Sequence, residues 1–307
     1  MTVASTTIKA FQLLHPIDSP EYWKIMGDCE VDKQIAEELP VFKDDRRRQH
    51  YDEVQGVDFY KCFLGKQLSY SCNLWYEDTK DNDEATENKY HWYSRLLNLR
   101  PNQKGLEIGS GFGNLAKWIR GMHDVDIDSV NVSQEQYKYC IENNNGVRFH
   151  NCSWEDYDAH DLDFIISEGV LVHQKDKRAF FEYCYRSLKK GGSALVREMH
   201  LAPNVSLDNP LCKGLNATYA FSGSYCGVGQ MLDSINLAGF NNINVHYWDI
   251  ENYKKTQRGW LQAMKDNKEQ MKAISFTAWQ DRMLNFNLFM DCFNRGFFTM
   301  TTYVVTK

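Results

Sequence analysis

The sequence predicts an α/β protein whose sheet has seven strands, parallel where strand and helix alternate and covered by helices on both faces. Two observations carry that prediction. Between residues 104 and 200, short apolar runs alternate with stretches of helical spacing, the pattern of strands joined by crossover helices. The first run ends in the turn Gly109-Ser110-Gly111-Phe112-Gly113, which opens a helix. Glycine lacks a Cβ, so the backbone there can bend sharply and approach a ligand. The helix start behind it offers free N–H groups to a carboxylate or phosphate.

Each element follows in order. Residues 1–60 mix charge and aromatics, with helical spacing at Tyr22, Trp23, Ile25 and Met26 and again at Ile35, Ala36 and Leu39. Ser19 caps a helix with Pro20 in its first turn. The aromatic stretch 59–76 runs into an acidic tract, Glu77 to Glu87, and a helix through Tyr90, Trp92, Tyr93, Leu96 and Leu97 stops at Pro101. These features make residues 1–100 a helical lid. Strands are expected at 104–108, 126–132, 147–151, 162–167 and 193–199, with helices at 113–122, from Ser133, and at 176–188. Gly191-Gly192 turns the chain into the fifth strand. Residues 201–228 read as an irregular substrate cover. A helix at 228–238, a strand at 242–248, helices at 252–270 and 276–294 and a strand at 297–305 complete the chain.

Composition narrows the function. Hydrophobic residues make up 43% of the 307, enough for a core. A net charge of −6 leaves no basic footprint for nucleic acid. The run Arg46-Arg47-Arg48 reads as a solvated helix face. The nine cysteines contain no C-x-x-C pair and are odd in number, which favours reduced thiols in a cytoplasm over disulfides or a zinc site. No stretch is apolar enough to span a membrane. Aromatic residues at 14% suit a pocket for an apolar or cationic guest.

Glu107 stands just before the glycine turn. A carboxylate there suits an adenosyl ligand with a cationic amino-acid tail better than a dinucleotide pyrophosphate. From residue 59 onward the chain then resembles the class I S-adenosylmethionine-dependent methyltransferases, specifically the cyclopropane fatty acid synthase group. The residues that carry the resemblance are Phe63-Leu64-Gly65 with Leu68-Ser69-Tyr70-Ser71-Cys72, Asn131-Val132-Ser133 with Gln136, Trp154-Glu155, Tyr253 with Lys255-Thr256 and Trp260, and Phe293 with Arg295-Gly296. Such ordered matches are more specific than any one motif.

The resemblance implies a Rossmann-like sheet, a methyltransferase domain over 101–307 with cover insertions near 201–228 and 251–295, and S-adenosyl-L-methionine as cofactor. It implies that Glu107, Gly109 and Gly111 line the methionine part, that Gly113 belongs to the cofactor-binding set, and that Tyr70 and Ser71 reach the cofactor from the cover. Asn131, Val132 and Gln136 hold the ribose side, and Trp154 and Glu155 frame the adenine. In cyclopropane synthases the base is understood to be a bound bicarbonate, held by a set that Cys72 and Tyr253 match. Val172 stands at the glutamate position of that set beside a retained His173, and Arg197 replaces its histidine, followed by Glu198 and His200.

The chemistry expected is methyl transfer to the double bond of a lipid or isoprenoid-type hydrophobic molecule, with aromatic faces shielding a cation and a base removing a proton. Glu168, at the end of the fourth strand, is the replacement carboxylate, either a base of raised pKa or a partner of Arg197. His173, His200, Cys72 and Tyr253 complete the catalytic candidates. N-methylation of a small amine is the alternative, and a non-catalytic ligand-binding protein the third reading. A homo-oligomer stays open.

Overall fold

The computed structural model describes residues 4–17, 19–31, 56–206, 208–219 and 223–307. The spacing at Ile35, Ala36 and Leu39, the Arg46–Arg48 run and part of the 201–228 stretch lie outside them. Before the sheet come helices α1 (Ala4–Leu14), α2 (Pro20–Asp28), α3 (Val57–Lys61) and α4 (Asn82–Leu96). Ser19 Oγ caps α2 by accepting from Tyr22 N–H at 3.2 Å, with Pro20 in the first turn, where its missing N–H is no loss.

The sheet carries the site. β1 (Lys104–Ile108), α5 (Asn114–His123), β2 (Asp126–Val130), α6 (Gln134–Asn143), β3 (Arg148–His150), β4 (Leu162–Glu168), α7 (Lys177–Ser187) and β5 (Leu188–Leu201) alternate as the sequence implies. Then follow α8 (Pro210–Tyr219), α9 (Val228–Leu237), β6 (Asn242–Trp248), α10 (Glu251–Asp266), α11 (Lys268–Asn294) and β7 (Phe298–Thr306). The seven strands run β3-β2-β1-β4-β5-β7-β6. β1 to β5 are parallel, whereas β7 runs antiparallel to both β5 and β6.

Alternation along each strand sends side chains to two cores. Ile165, Ala194 and Val196 pack with Phe180, Phe181 and Ile235 on one face. Phe164, Ile166 and Leu195 pack with Tyr90, Tyr93 and Leu115 on the other. A third core joins the first helices to the last: Phe11, Tyr22 and Phe59 pack with Trp260, Met283 and Leu288. His15, just past α1, and Asp291 on α11 add a hydrogen-bonding contact at 2.6 Å.

Three expectations are corrected. The 201–228 stretch, read as irregular, contains α8. β5 begins at Leu188, and Gly191-Gly192 lie within it where the pairing register with β4 shifts. α10 and α11 meet at Asn267, and the break expected near 270–276 is a kink at Ser275, φ −162°. No described helix is long and apolar enough to cross a membrane.

Candidate active site

Strand order reverses at β1, whose neighbours are β2 on one side and β4 on the other. The connections therefore diverge there and leave a crevice at the carboxyl ends. The turn after β1 fills its floor. Gly109, Gly111 and Gly113 have φ of +85°, +51° and +76°, a region that L side chains enter at a cost. A Cβ on Gly109 would also collide with Val170 Cγ2 from the loop after β4.

Polar groups tie this turn to its surroundings. Asn131 Nδ2 donates to the Gly111 carbonyl at 3.2 Å and to Gln136 Oε1 at 2.9 Å. Glu107 is buried on β1 and accepts from Ser129 Oγ at 2.7 Å. Burial pushes its carboxyl up to about 8, against the pull of the Ser129 hydrogen bond. A cavity of about 200 Å³ opens above these groups. Tyr70, Ser71, Glu107, Gly109, Gly111, Asn131, Val132, Gln136 and Trp154 all line it, as do Glu168 and His173. Gly113 shapes the turn without lining the cavity, and Glu155 is exposed outside it. The buried Trp154 Nε1 has no hydrogen-bond partner among the described residues.

A second cavity, about 160 Å³, adjoins the first. Both are lined by Tyr70, Ser71, Gly169 and His173. The second also takes in Cys72, Tyr253 and the rings of Tyr225, Trp260, Phe286 and Phe289. Burial raises the Cys72 thiol to about 11 despite the nearby Arg197 and Lys89 charges, and it pushes the Tyr253 phenol well above its ordinary value. Both therefore keep their protons at neutral pH.

Glu168 does not have the raised pKa expected of a base. Burial alone would raise it, but Arg197 and Lys89, with hydrogen bonds from Tyr93 and Ser71, hold it below the ordinary carboxylate value. It pairs with the Arg197 guanidinium, lies 3.1 Å from Lys89 Nζ and accepts from Tyr93 Oη at 2.8 Å. Lys89, wholly buried, also donates to Ser69 Oγ at 2.8 Å and Ser71 Oγ at 2.7 Å. Arg197 Nη1 donates to the Cys72 carbonyl at 2.6 Å. Glu168 is thus the hub that fastens the 69–72 strap to the sheet.

His200 is the second correction. It lines neither cavity. Its Nε2 lies 3.1 Å from Tyr303 Oη and its Nδ1 3.2 Å from the Cys226 carbonyl, and burial lowers its pKa to about 4. It is a neutral packing histidine on β5, held between Tyr303 of β7 and the Cys226 carbonyl.

Sequence reasoning missed Lys89, Tyr93, Gln257, Arg282 and Asn285. Arg282, Asn285, Phe286 and Phe289 fall at helical spacing and all line the second cavity, so a face pattern in α11 was a usable signal. Arg282 Nη1 donates to Tyr70 Oη at 2.7 Å. No His, Cys, Asp and Glu grouping suited to a metal occurs among the described residues.

A glycine-floored crevice at the switch point of this sheet, with a second cavity beside it, defines the architecture of a class I methyltransferase. The chain belongs to the mycolic acid cyclopropane synthetase family, whose model matches residues 42–306. S-adenosyl-L-methionine is the cofactor of that family. The chain is 31% identical over 153 residues to cyclopropane-fatty-acyl-phospholipid synthase of Escherichia coli, across 48% of this chain and 39% of that protein. The match thus spans well under half the length of that relative. In fold it is similar to the cyclopropane synthase MmaA2 from Mycobacterium tuberculosis, with a TM-score of 0.78 at 19% identity over 86% of this chain and 99% of that one. It is also similar to coclaurine N-methyltransferase bound to N-methylheliamine and SAH, with a TM-score of 0.70 at 17% identity over 99% and 93%.

Proposed function

We propose that this chain is an S-adenosyl-L-methionine-dependent methyltransferase that methylates a carbon–carbon double bond of a hydrophobic small molecule of lipid or isoprenoid type. The observation that carries the reading is the pair of adjoining cavities, joined at Tyr70, Ser71, Gly169 and His173. The residues of the first cavity fit the cofactor. Gly109 has no room for a side chain, the buried Glu107 would give up its proton beside a cationic tail, which favours the carboxylate, and Trp154 Nε1 has a hydrogen bond to give. When bound, the cofactor supplies an electrophilic methyl.

The protein's own work is then positioning and exclusion of water. Asn131 and Gln136 would hold the ribose side. Tyr70 and Ser71 would set the acceptor in line. Positive charge left on the methylated alkene would lie among Tyr225, Tyr253, Trp260 and Phe286, whose faces attract it. His173, common to both linings, would take the departing proton, giving a methylated alkene or a cyclopropane.

Incubating the protein with methyl-labelled cofactor and a panel of prenyl and acyl alkenes tests this. Label on carbon supports it; no transfer to any alkene removes it. Amine N-methylation is the second reading, favoured by the fold likeness to coclaurine N-methyltransferase over nearly the whole chain. The carboxyl in the acceptor lining, Glu198, is pushed up to about 7 by burial and accepts from Leu171 N–H, so it offers an ammonium guest an incomplete counter-charge. Label found only on nitrogen would put that reading first, and cofactor uptake with no product from cell extract would favour a non-catalytic binder.

A further inference from the structure

The second cavity is not a plain hydrocarbon slot. α10 turns Tyr253, Gln257 and Trp260 toward it, and α11 turns Arg282, Asn285, Phe286 and Phe289. Both sets follow helical spacing, so each cover helix presents one face. Each face mixes rings with an amide. Gln257 is only 2% exposed and Asn285 7%. Gln257 Oε1 has no hydrogen-bond partner among the described residues. A buried acceptor without a partner is costly, and native structures seldom leave one so. An acyl chain would leave that oxygen unanswered. An ammonium guest would also answer it, but the carboxyl in that lining, Glu198, is pushed up to about 7 by burial and gives it an incomplete counter-charge beside Arg282 and the Glu168-paired Arg197.

Building on the methyltransferase reading above, we propose that the acceptor carries a hydroxyl group, whose O–H donates to Gln257 Oε1 beside the Asn285 amide, while its unsaturated skeleton lies along the aromatic wall. The substrate class is an unsaturated alcohol. Gln257 is the residue that selects it, and Asn285 flanks the hydroxyl oxygen with a donor. The small size of the cavity, about 160 Å³, places the hydroxyl within a few carbons of the atom that meets the methyl group at the Ser71–His173 junction.

The test uses the full chain loaded with S-adenosylhomocysteine, and four probes that share one isoprenoid skeleton: geraniol, geranyl methyl ether, geranylamine and geranic acid. Binding is read by calorimetry. Geraniol is expected to bind roughly tenfold more tightly than the ether, which keeps the oxygen but loses the donor. Gln257→Leu should abolish that ratio while S-adenosylhomocysteine still binds, and Asn285→Leu should reduce it. The ratio between two probes on one folded variant does not move through loss of fold alone. An ether that binds as well as geraniol overturns the proposal, as does a geraniol preference that survives in Gln257→Leu. Tightest binding by geranic acid or geranylamine also overturns it, in favour of a charged head group. If S-adenosylhomocysteine binds and none of the four probes does, the hydroxyl proposal falls and the methyltransferase reading stands. If S-adenosylhomocysteine itself is not taken up, the underlying reading fails as well.

Discussion

Replacing Glu168 by glutamine separates an anchor from a base. In the native protein the carboxylate lies against the Arg197 guanidinium and the Lys89 ammonium, both buried. Glutamine keeps the shape and removes the charge, so two cations face each other with their shared counter-ion gone. Removing one partner of a buried pair costs about 3–5 kcal/mol. Burial has already lowered Lys89 to about 8, so it sheds its proton more readily in the variant, which favours the lower figure. At roughly 0.6 kcal/mol per kelvin for a chain of this length, a loss of about 3 kcal/mol lowers Tm by about 5 °C. Scanning calorimetry of Glu168→Gln beside the native protein reads this at pH 7. The sign of the pH dependence follows from the lowered pKa of Glu168. Its contribution is present above its unfolded value, near 4.5, and is lost as pH falls through the folded one. The gap in Tm should therefore be full at pH 7 and close in acid. A variant that melts within 1 °C of the native protein yet has lost methyl transfer would refute the anchor and restore the base.

Three further outcomes are expected. Glu107 holds its proton up to about 8 when folded, against an ordinary 4.5, so native stability should fall by up to about 5 kcal/mol as pH rises across that window. Glu107→Gln should flatten that slope in melting experiments and weaken cofactor uptake; an unchanged slope refutes the assignment. Gly109→Ala places a side chain at φ +85° against Val170 and should cost about 1–3 kcal/mol and abolish cofactor binding by calorimetry, whereas retained binding would mean that the turn does not cradle the ligand. His200→Gln should lower Tm through its lost packing with Tyr303 while methyl transfer per folded molecule changes less than threefold; a larger loss of kcat would return His200 to the catalytic set.

What the sequence determined by itself was local. Apolar runs of strand length between stretches of helical spacing specify β1 to β5 and their crossovers, because each element is set by neighbours a few residues away. The glycine turn was legible for the same reason, since a left-handed backbone at Gly109 is a property of that residue. The ordered motifs also point Tyr70, Ser71, Asn131 and Gln136 to one crevice, which all four line. The direction of β7 was not legible, because a strand's own sequence does not say which neighbour it will pair with. The helix in 201–228 was obscured by its Asn and Gly content, which tertiary packing of Leu211 and Leu215 overrides.

Only the tertiary structure decided which candidates carry charge chemistry. Glu168 and Arg197 are register partners on β4 and β5, and Lys89 arrives beside them from a helix 79 residues earlier. Glu198 and His200, two residues apart, share one face of β5, yet only Glu198 reaches the second cavity, because His200 lies further along the strand, where Tyr303 and the Cys226 carbonyl enclose it. Protonation depends on burial and on charges within a few ångströms, and those distances exist only once remote segments of the chain have met.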